Sequence, residues 1–258
     1  MILTADYHTH TPYSHGKNTV EENVAAAVEK GLKKVAISDH GFSHIAFGLR
    51  HRKLPDLMAE IRAAAEKFCI DVLLGIESNI CSVRGTIDLK PKDYEKFDVL
   101  LCGFHMVALF RGISDWAFNF FGNVMAHHLQ FGATNYLVKR NTRAYINALK
   151  NNPVDALTHL SFQCACNPLE VAKCAADYGT YIELNGKKTH LTDDELNDIV
   201  AKTSARFILN SDAHTADRVG DITRVERQLA RLQFPMDRID NIDGRLPNFR
   251  FTEFKKHM

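Results

Sequence analysis

The sequence predicts an α/β chain folded as a distorted seven-unit (β/α)7 TIM-like barrel, and three observations carry that prediction. Seven short aliphatic or β-branched runs alternate with helix-like stretches along the 258 residues, the pattern of parallel strands joined by right-handed crossovers. The composition is that of one ordinary globular domain spanning residues 1–258, with 45% apolar residues and Lys+Arg (32) nearly cancelling Asp+Glu (31). Polar residues end almost every run; in a closed parallel barrel those ends meet at one face, whereas an open sheet spreads them along a line. Seven units in place of eight imply an incomplete or distorted ring.

The elements follow in order. The first run, Ile2 to His8, leads through His8-Thr9-His10 into the turn Pro12-Tyr13-Ser14-His15-Gly16. Thr19-Val20-Glu21-Glu22 is a capping box, opening a helix with apolar positions at Val24, Ala27 and Val28 that stops at Gly31. The second run, Lys34 to Ser38, leads into Asp39-His40; the third, Val72 to Ile76, into Glu77; the fourth, Val99 to Phe104, into His105. The fifth, Val154 to Thr158, meets His159, and Pro168 and Gly179 bracket the helix that follows. The sixth, Tyr181 to Leu184, leads into Asn185, with a second capping box at Thr192-Asp193-Asp194-Glu195 ahead of Leu196, Ile199 and Val200. The seventh, Phe207 to Ser211, ends in Asp212-Ala213-His214.

The connection between the fourth and fifth runs is longer than a crossover needs. Asn141 to Lys150 reads as its helix, which leaves residues 106–140 as an insertion beside the strand ends. It is rich in aromatic residues, among them Phe110, Trp116, Phe118, Phe120, Phe121, Phe131 and Tyr136. A local core, a lid and a contact in a homo-oligomer are its three readings.

Composition excludes several function classes. A formal net charge of +1 gives no bulk electrostatic attraction to a nucleic-acid polymer. The six cysteines form no CxxC pair and read as small core hydrophobes of a reducing compartment. The N-terminus lacks a basic start with a long apolar stretch, and no run reaches roughly 18 uninterrupted apolar residues, so the expectation is a cytoplasmic protein without a membrane span. Cys164-Ala165-Cys166 lacks a second thiolate pair, and Gly186-Lys187-Lys188-Thr189 lacks the upstream glycine of a phosphate loop.

One number departs from this plain background. The chain carries 13 histidines, about twice what average usage would give, and they fall at strand ends. His8 and His10 stand at i, i+2, the spacing that points two strand side chains the same way. With His15, His40, Glu77, His105, His159, Asp212 and His214 they make nine nitrogen or oxygen donors, issuing from six of the seven strand ends or the turn just past the first. Mixed imidazole and carboxylate sets suit Zn2+, Mn2+ or Fe2+ at roughly three or four protein ligands per ion, which predicts two or three divalent ions.

The order His8-x-His10, His15, Asp39-His40, Glu77, His105, His159, Asp212-x-His214 resembles the polymerase and histidinol phosphatase (PHP) family over essentially the whole chain. It is similar in particular to the small stand-alone bacterial phosphatase-like members, through Gly-Ile-Glu-Ser-Asn-Ile at 75–80, Gly-Phe-His at 103–105 and Ser-Asp-Ala-His-Thr at 211–215. The resemblance implies a distorted seven-unit barrel in which His8, His10, Glu77 and Asp212 hold one metal. Glu77 would bridge to a second held by His105 and His159, and His15, His40 and His214 would hold a third. The segment after His105 is longer than in those relatives.

Such a site is expected to hydrolyse a small phosphomonoester by in-line attack of a hydroxide shared between the ions, without a covalent enzyme intermediate. Asp39, His44 and His190 are candidate proton donors to the leaving group, with Asp39 alternatively orienting a ligand imidazole. Arg218, four residues past His214, is the first candidate to grip phosphate oxygens as a catalytic and substrate-binding group, followed by Arg50 and Arg52. Asn185 is a further substrate-binding candidate. His51, His127, His128 and His257 read as surface or local structure. The competing readings are a phosphodiesterase or exonuclease-like PHP hydrolase, an amidohydrolase and a non-catalytic metal-binding regulator. Glu77 and the Asp212-x-His214 pair count against the amidohydrolase, and the full ligand set counts against the regulator.

Overall fold

The computed structural model describes residues 1–128 and 134–258. Seven parallel strands, β1 (Ala5–Thr9), β2 (Lys34–Ile37), β3 (Asp71–Asn79), β4 (Val99–Gly103), β5 (Ala156–Leu157), β6 (Tyr181–Asn185) and β7 (Phe207–Asn210), pair in sequence order to make a nearly closed barrel. The longer helices fill the crossovers, α1 (Val20–Glu29), α2 (Leu54–Phe68), α5 (Asn135–Asn151), α6 (Pro168–Tyr178) and α7 (Asp193–Lys202), and α8 (Thr223–Leu232) follows β7. Both predicted capping boxes form, at Thr19 with Glu22 and at Thr192 with Glu195. Gly179 closes α6 in the left-handed conformation. Among the described residues no helix is long and apolar enough to cross a membrane.

The sheet separates two apolar layers. Val35, Ile37, Leu74, Ile76, Leu100, Leu157, Ile182 and Leu209 face the surrounding helices. The intervening residues Ala5, Tyr7, Ala36, Leu73, Val99, Leu101, Ala156, Tyr181 and Ile208 fill the ring itself. Phe249, from the C-terminal segment, plugs this inner layer from below, its ring 4.7 Å from Tyr7 and 6.0 Å from Tyr181.

Three elements differ from the sequence reading. β3 runs on through Glu77 to Asn79 because those residues pair with Leu101 and Gly103 of β4, so Glu77 sits within a strand. α5 begins at Asn135, six residues before Asn141, where the Thr134 hydroxyl accepts a bond from the amide of Leu137. The insertion is helical: α3 (Ile113–Asp115) continues through a π-helical stretch, Trp116–Gly122, into α4 (Asn123–His128). Trp116 packs edge-on against Phe110 and Phe120, while Ile113, Phe121 and Tyr136 are exposed. Phe131 and the side chains of His127 and His128 lie outside the described residues. Four cysteines are buried as expected; Cys166 is half-buried and Cys69, at the end of α2, is exposed.

The seam between β1 and β7 is held largely by side chains. A single backbone bridge joins Thr9 to Ala213. Asn210 accepts from the amide of Tyr7 at 2.9 Å, and Asp6 accepts from the amides of Ser211 and Gly220. Asn241 donates to the carbonyls of Ala5 (2.8 Å) and Leu209 (2.6 Å) and accepts from the Leu209 amide (2.9 Å). Asn241→Ala would strand these buried backbone groups at about 1–3 kcal/mol each. We expect it to cost about 3 kcal/mol, read as a lower urea midpoint at unchanged slope; an unchanged midpoint would refute the side-chain seam.

Candidate metal centre

A bulge in β1 aims the first two histidines. Asp6 aligns with Val35 but Thr9 aligns with Ile37, so β1 spends one residue more than its neighbour and the side-chain alternation changes phase. Tyr7 faces the inner layer in normal alternation with Ala5, and across the bulge His8, the next residue, also turns inward, its Nδ1 2.7 Å from Glu183 Oε1 on β6. The turn at 12–16 then folds back over His10; a Cβ on Gly16 would lie 2.3 Å from the His10 carbonyl oxygen, so the return is open only to glycine.

All nine predicted donors come together at this end of the barrel. His8 Nε2 lies 3.1 Å from His10 Nε2 and 3.5 Å from Glu77 Oε1. Asp212 Oδ1 is 3.5 Å from His10 Nε2 and 3.9 Å from His8 Nε2. Glu77 Oε1 is 2.7 Å from His159 Nε2 and 3.2 Å from His105 Nε2, and its Oε2 is 2.7 Å from His40 Nδ1. The His15 ring lies 4.9 Å from that of His40 and 4.1 Å from that of His214. Two donors bound to one tetrahedral ion at about 2.0–2.1 Å would stand roughly 3.4 Å apart, close to these separations.

The donor set fits divalent cations. Among the described residues, His15 Nδ1 and His105 Nε2 are buried without a hydrogen-bond partner, and His40 Nδ1 and Glu77 Oε2, though 2.7 Å apart, do not meet in hydrogen-bond geometry, a cost that a bound cation removes. Three overlapping groups bring their donor atoms within 4.8 Å: His8, His10 and Glu77; His40, Glu77 and His105; His10, His40 and His214. Glu77 belongs to two of them. His159 and Asp212 hold left-handed backbone conformations, φ 31° and 51°, tolerated by His and Asp and typical of strain kept at functional sites.

Charge inside the cluster is divided unequally. Burial alone would raise Glu77, but the imidazoles of His105, His8, His40 and His159 hold it well below the usual carboxylate range. Asp212 is likewise held low against its burial, by His8, His10 and Lys187. Burial pushes His10 well down and His40 down to about 3, leaving neutral lone pairs ready for an ion. His8 is the exception: Glu183, Glu77 and Asp212 outweigh its burial and raise it.

Two residues missed in the sequence orient the ligands from behind. Glu183 accepts from the His159 amide at 2.9 Å besides contacting His8 Nδ1, and Asn79 Oδ1 lies 2.7 Å from His105 Nδ1. Such bonds fix which ring nitrogen carries the proton and which faces inward. The signal was present, since Asn79 is two residues past Glu77 and Glu183 two before Asn185, the strand spacing already used for His8 and His10.

Other candidates stand around this cluster. Asp39 is buried and ties down the turn that carries His15, accepting from the Thr11 amide (2.8 Å), the Thr11 hydroxyl (2.6 Å) and the Ser14 hydroxyl; burial raises it to about 6. His44 stacks on His40 at 4.7 Å, and His190 lies 5.7 Å from His159; burial lowers them to about 4 and about 3. Asn185 is buried and spends its amide on Glu183 (2.9 Å) and Asp212 (3.2 Å). Arg218 pairs with Asp221 and is absent from the cavity over the cluster, which Lys187 lines instead. Lys187 Nζ stands 3.1 Å from His214 Nδ1 and 3.6 Å from Asp212 Oδ1. Arg50 and Arg52 line a neighbouring cavity that shares Phe47 with this one, and Arg50 donates to the Ile45 carbonyl. His51 stacks on Phe42 and His257 is exposed.

A family model described as PHP domain matches residues 6–227. A protein of Proteus mirabilis (strain HI4320) named a probable phosphatase is 29% identical over 260 residues, covering 95% of this chain and 92% of that protein. Another so named, from Caldanaerobacter subterraneus subsp. tengcongensis, is 28% identical over 93% of this chain and 88% of its own length. In fold, the chain is similar to the crystal structure of histidinol phosphate phosphatase from Lactococcus lactis subsp. lactis Il1403, complexed with zinc, L-histidinol and phosphate. The TM-score is 0.59 at 14% identity, covering 96% of this chain and 97% of that one.

Proposed function

The chain belongs to the PHP domain family, and from that premise we propose that it is a metal-dependent phosphoesterase that releases phosphate from a small phosphomonoester. The observation that carries this reading is the convergence of His8, His10, Glu77, His105, His159 and Asp212 beneath a cavity that also holds Lys187. In this reading His8, His10, Glu77 and Asp212 hold one ion, Glu77 with His105 and His159 a second, and His15, His40 and His214 a third. Two or three ions of Zn2+, Mn2+ or Fe2+ suit such ligands. Bound divalent ions bring the pKa of water toward neutrality and offset charge on phosphate oxygens.

The chain's own residues supply the rest. Glu183 and Asn79 present His8 and His105 in fixed orientations, and Asp39 holds the turn that brings His15 over the cluster. Lys187 takes the anion-binding place that the sequence reading gave to Arg218, because its ammonium faces Asp212 and His214 whereas Arg218 is neutralised by Asp221. Asn185 fixes Asp212. We place the reaction in the cytoplasm, where the six free thiols stay reduced.

The test is phosphate release from histidinol phosphate, nucleotides and sugar phosphates, with a phosphodiester control, by protein of measured metal content. At least one monoester should turn over more than tenfold faster than the diester. No release from any monoester at two or more bound ions per chain would overturn the reading.

A further inference from the structure

The proposed phosphatase site carries a wall whose chemistry selects the alcohol half of the substrate. Above the histidines the cavity, about 310 Å3 in volume, is bounded by Phe47, Met106, Val107 and Phe162, with His44, Gln163 and Lys187 as the polar groups outside the metal cluster. The apolar wall is built by two loops paired as a short antiparallel flap. Ser43 accepts from the amide of Leu109 and Val107 accepts from the amide of Ile45, both at 2.9 Å, around a bridge between His44 and Ala108. Phe47 is pinned by its own amide donating to His44 Nδ1 at 3.1 Å. A Cβ on Gly48 would lie 2.6 Å from the His44 carbonyl oxygen and 2.7 Å from that of Gly41, so the tight turn behind Phe47 requires glycine. Phe47 stacks on His15 at 4.7 Å yet remains 43% exposed, and Val107 is 41% exposed: both present apolar surface at the mouth of a charged site.

The charges in the cavity are few. Among the described residues its only carboxylates are Glu77 and Asp212, both inside the histidine cluster, and its only cationic side chain apart from the histidines is Lys187. A phosphate on Lys187 and the cluster leaves no carboxylate to pair with an ammonium on the leaving group. The several hydroxyls of a sugar would meet mostly Phe47, Met106, Val107 and Phe162, with Gln163 and His44 as the few neutral polar partners, so most would lose water without a replacement. Resting on the phosphatase reading, we infer that the substrate is the phosphomonoester of a small, uncharged, apolar or aromatic alcohol, selected by the flap that carries Phe47 and Val107. Both amino alcohol phosphates and sugar phosphates are disfavoured by this wall.

Three phosphomonoesters with alkoxide leaving groups test this while limiting differences in intrinsic reactivity: 3-phenylpropyl phosphate, L-phenylalaninol phosphate, which adds only an amine, and glycerol 3-phosphate. The expected kcat/KM for the first exceeds each of the others at least tenfold. Val107→Asp, which supplies a carboxylate at the rim, should narrow the gap between the first two about tenfold; an unchanged gap would overturn the assignment of amine exclusion to this flap. Calorimetry with 3-phenylpropylphosphonate and 3,4-dihydroxybutylphosphonate reads the wall without turnover and should show the same order. Hydrolysis with equal or reversed preference would overturn the inference and leave the phosphatase reading standing. Preferential phosphonate binding without hydrolysis of any monoester would overturn the phosphatase reading and leave the wall's selectivity.

Discussion

Replacing Glu77 by Gln is expected to reduce phosphate release on the order of 1000-fold or more, with a native circular dichroism spectrum. Glu77 stands among five imidazoles, those of His8, His10, His40, His105 and His159, at separations of 2.7 to 3.7 Å. Gln preserves shape and volume but removes the charge and places an NH2 where an oxygen faces inward. An ion held through that oxygen loses a ligand and meets two protons instead. Metal analysis of the purified variant should show at least one ion fewer per chain than wild type. Full activity at wild-type metal content would remove Glu77 from the centre.

Chelation is the second large effect. Stripping the ions should abolish phosphate release and lower the melting temperature by several degrees, because a ligand that binds only the folded state stabilises it by about 2.7 kcal/mol at a hundred times its Kd. For a chain of this size each kcal/mol corresponds to roughly 2–4 °C. The physical source is visible in the buried His15 and His105 nitrogens without a hydrogen-bond partner among the described residues, and in the facing His40 and Glu77 atoms that lack hydrogen-bond geometry. Scanning calorimetry with and without EDTA, followed by back-titration with Zn2+, Mn2+ or Fe2+, measures both effects. Unchanged melting and activity after verified metal removal would overturn the metal-dependent reading.

Much of this was legible because strand ends are short and chemically explicit. The alternation of apolar runs and capped helices placed all seven strands to within a few residues, and the donors at those ends meet in space. What escaped depends on tertiary placement. The β1 bulge is invisible in His8-Thr9-His10, since it arises from alignment with β2. Glu183 and Asn79 were passed over because a carboxylate or amide inside a strand acquires its role only from the imidazole it meets. Arg218 stood out because guanidinium suits phosphate geometry, but its pairing with Asp221 depends on how the loop folds, and Lys187 carried no signal of its own beside His214.

The stitched seam has a consequence for the order of events in folding. Tyr7 and Asn210 are 203 residues apart in sequence, so joining the first strand to the last carries the loop-closure entropy of nearly the whole chain and comes late. That same junction brings His8 and His10 to Asp212 and His214. A nascent chain that ends before the last strand carries seven of the nine donors but lacks Asp212 and His214 and has no ring to hold the others together. Ions bound across this junction, between His8 and His10 on one side and Asp212 and His214 on the other, would therefore act as the keystone of the ring, stabilising the closed barrel over one open at the seam.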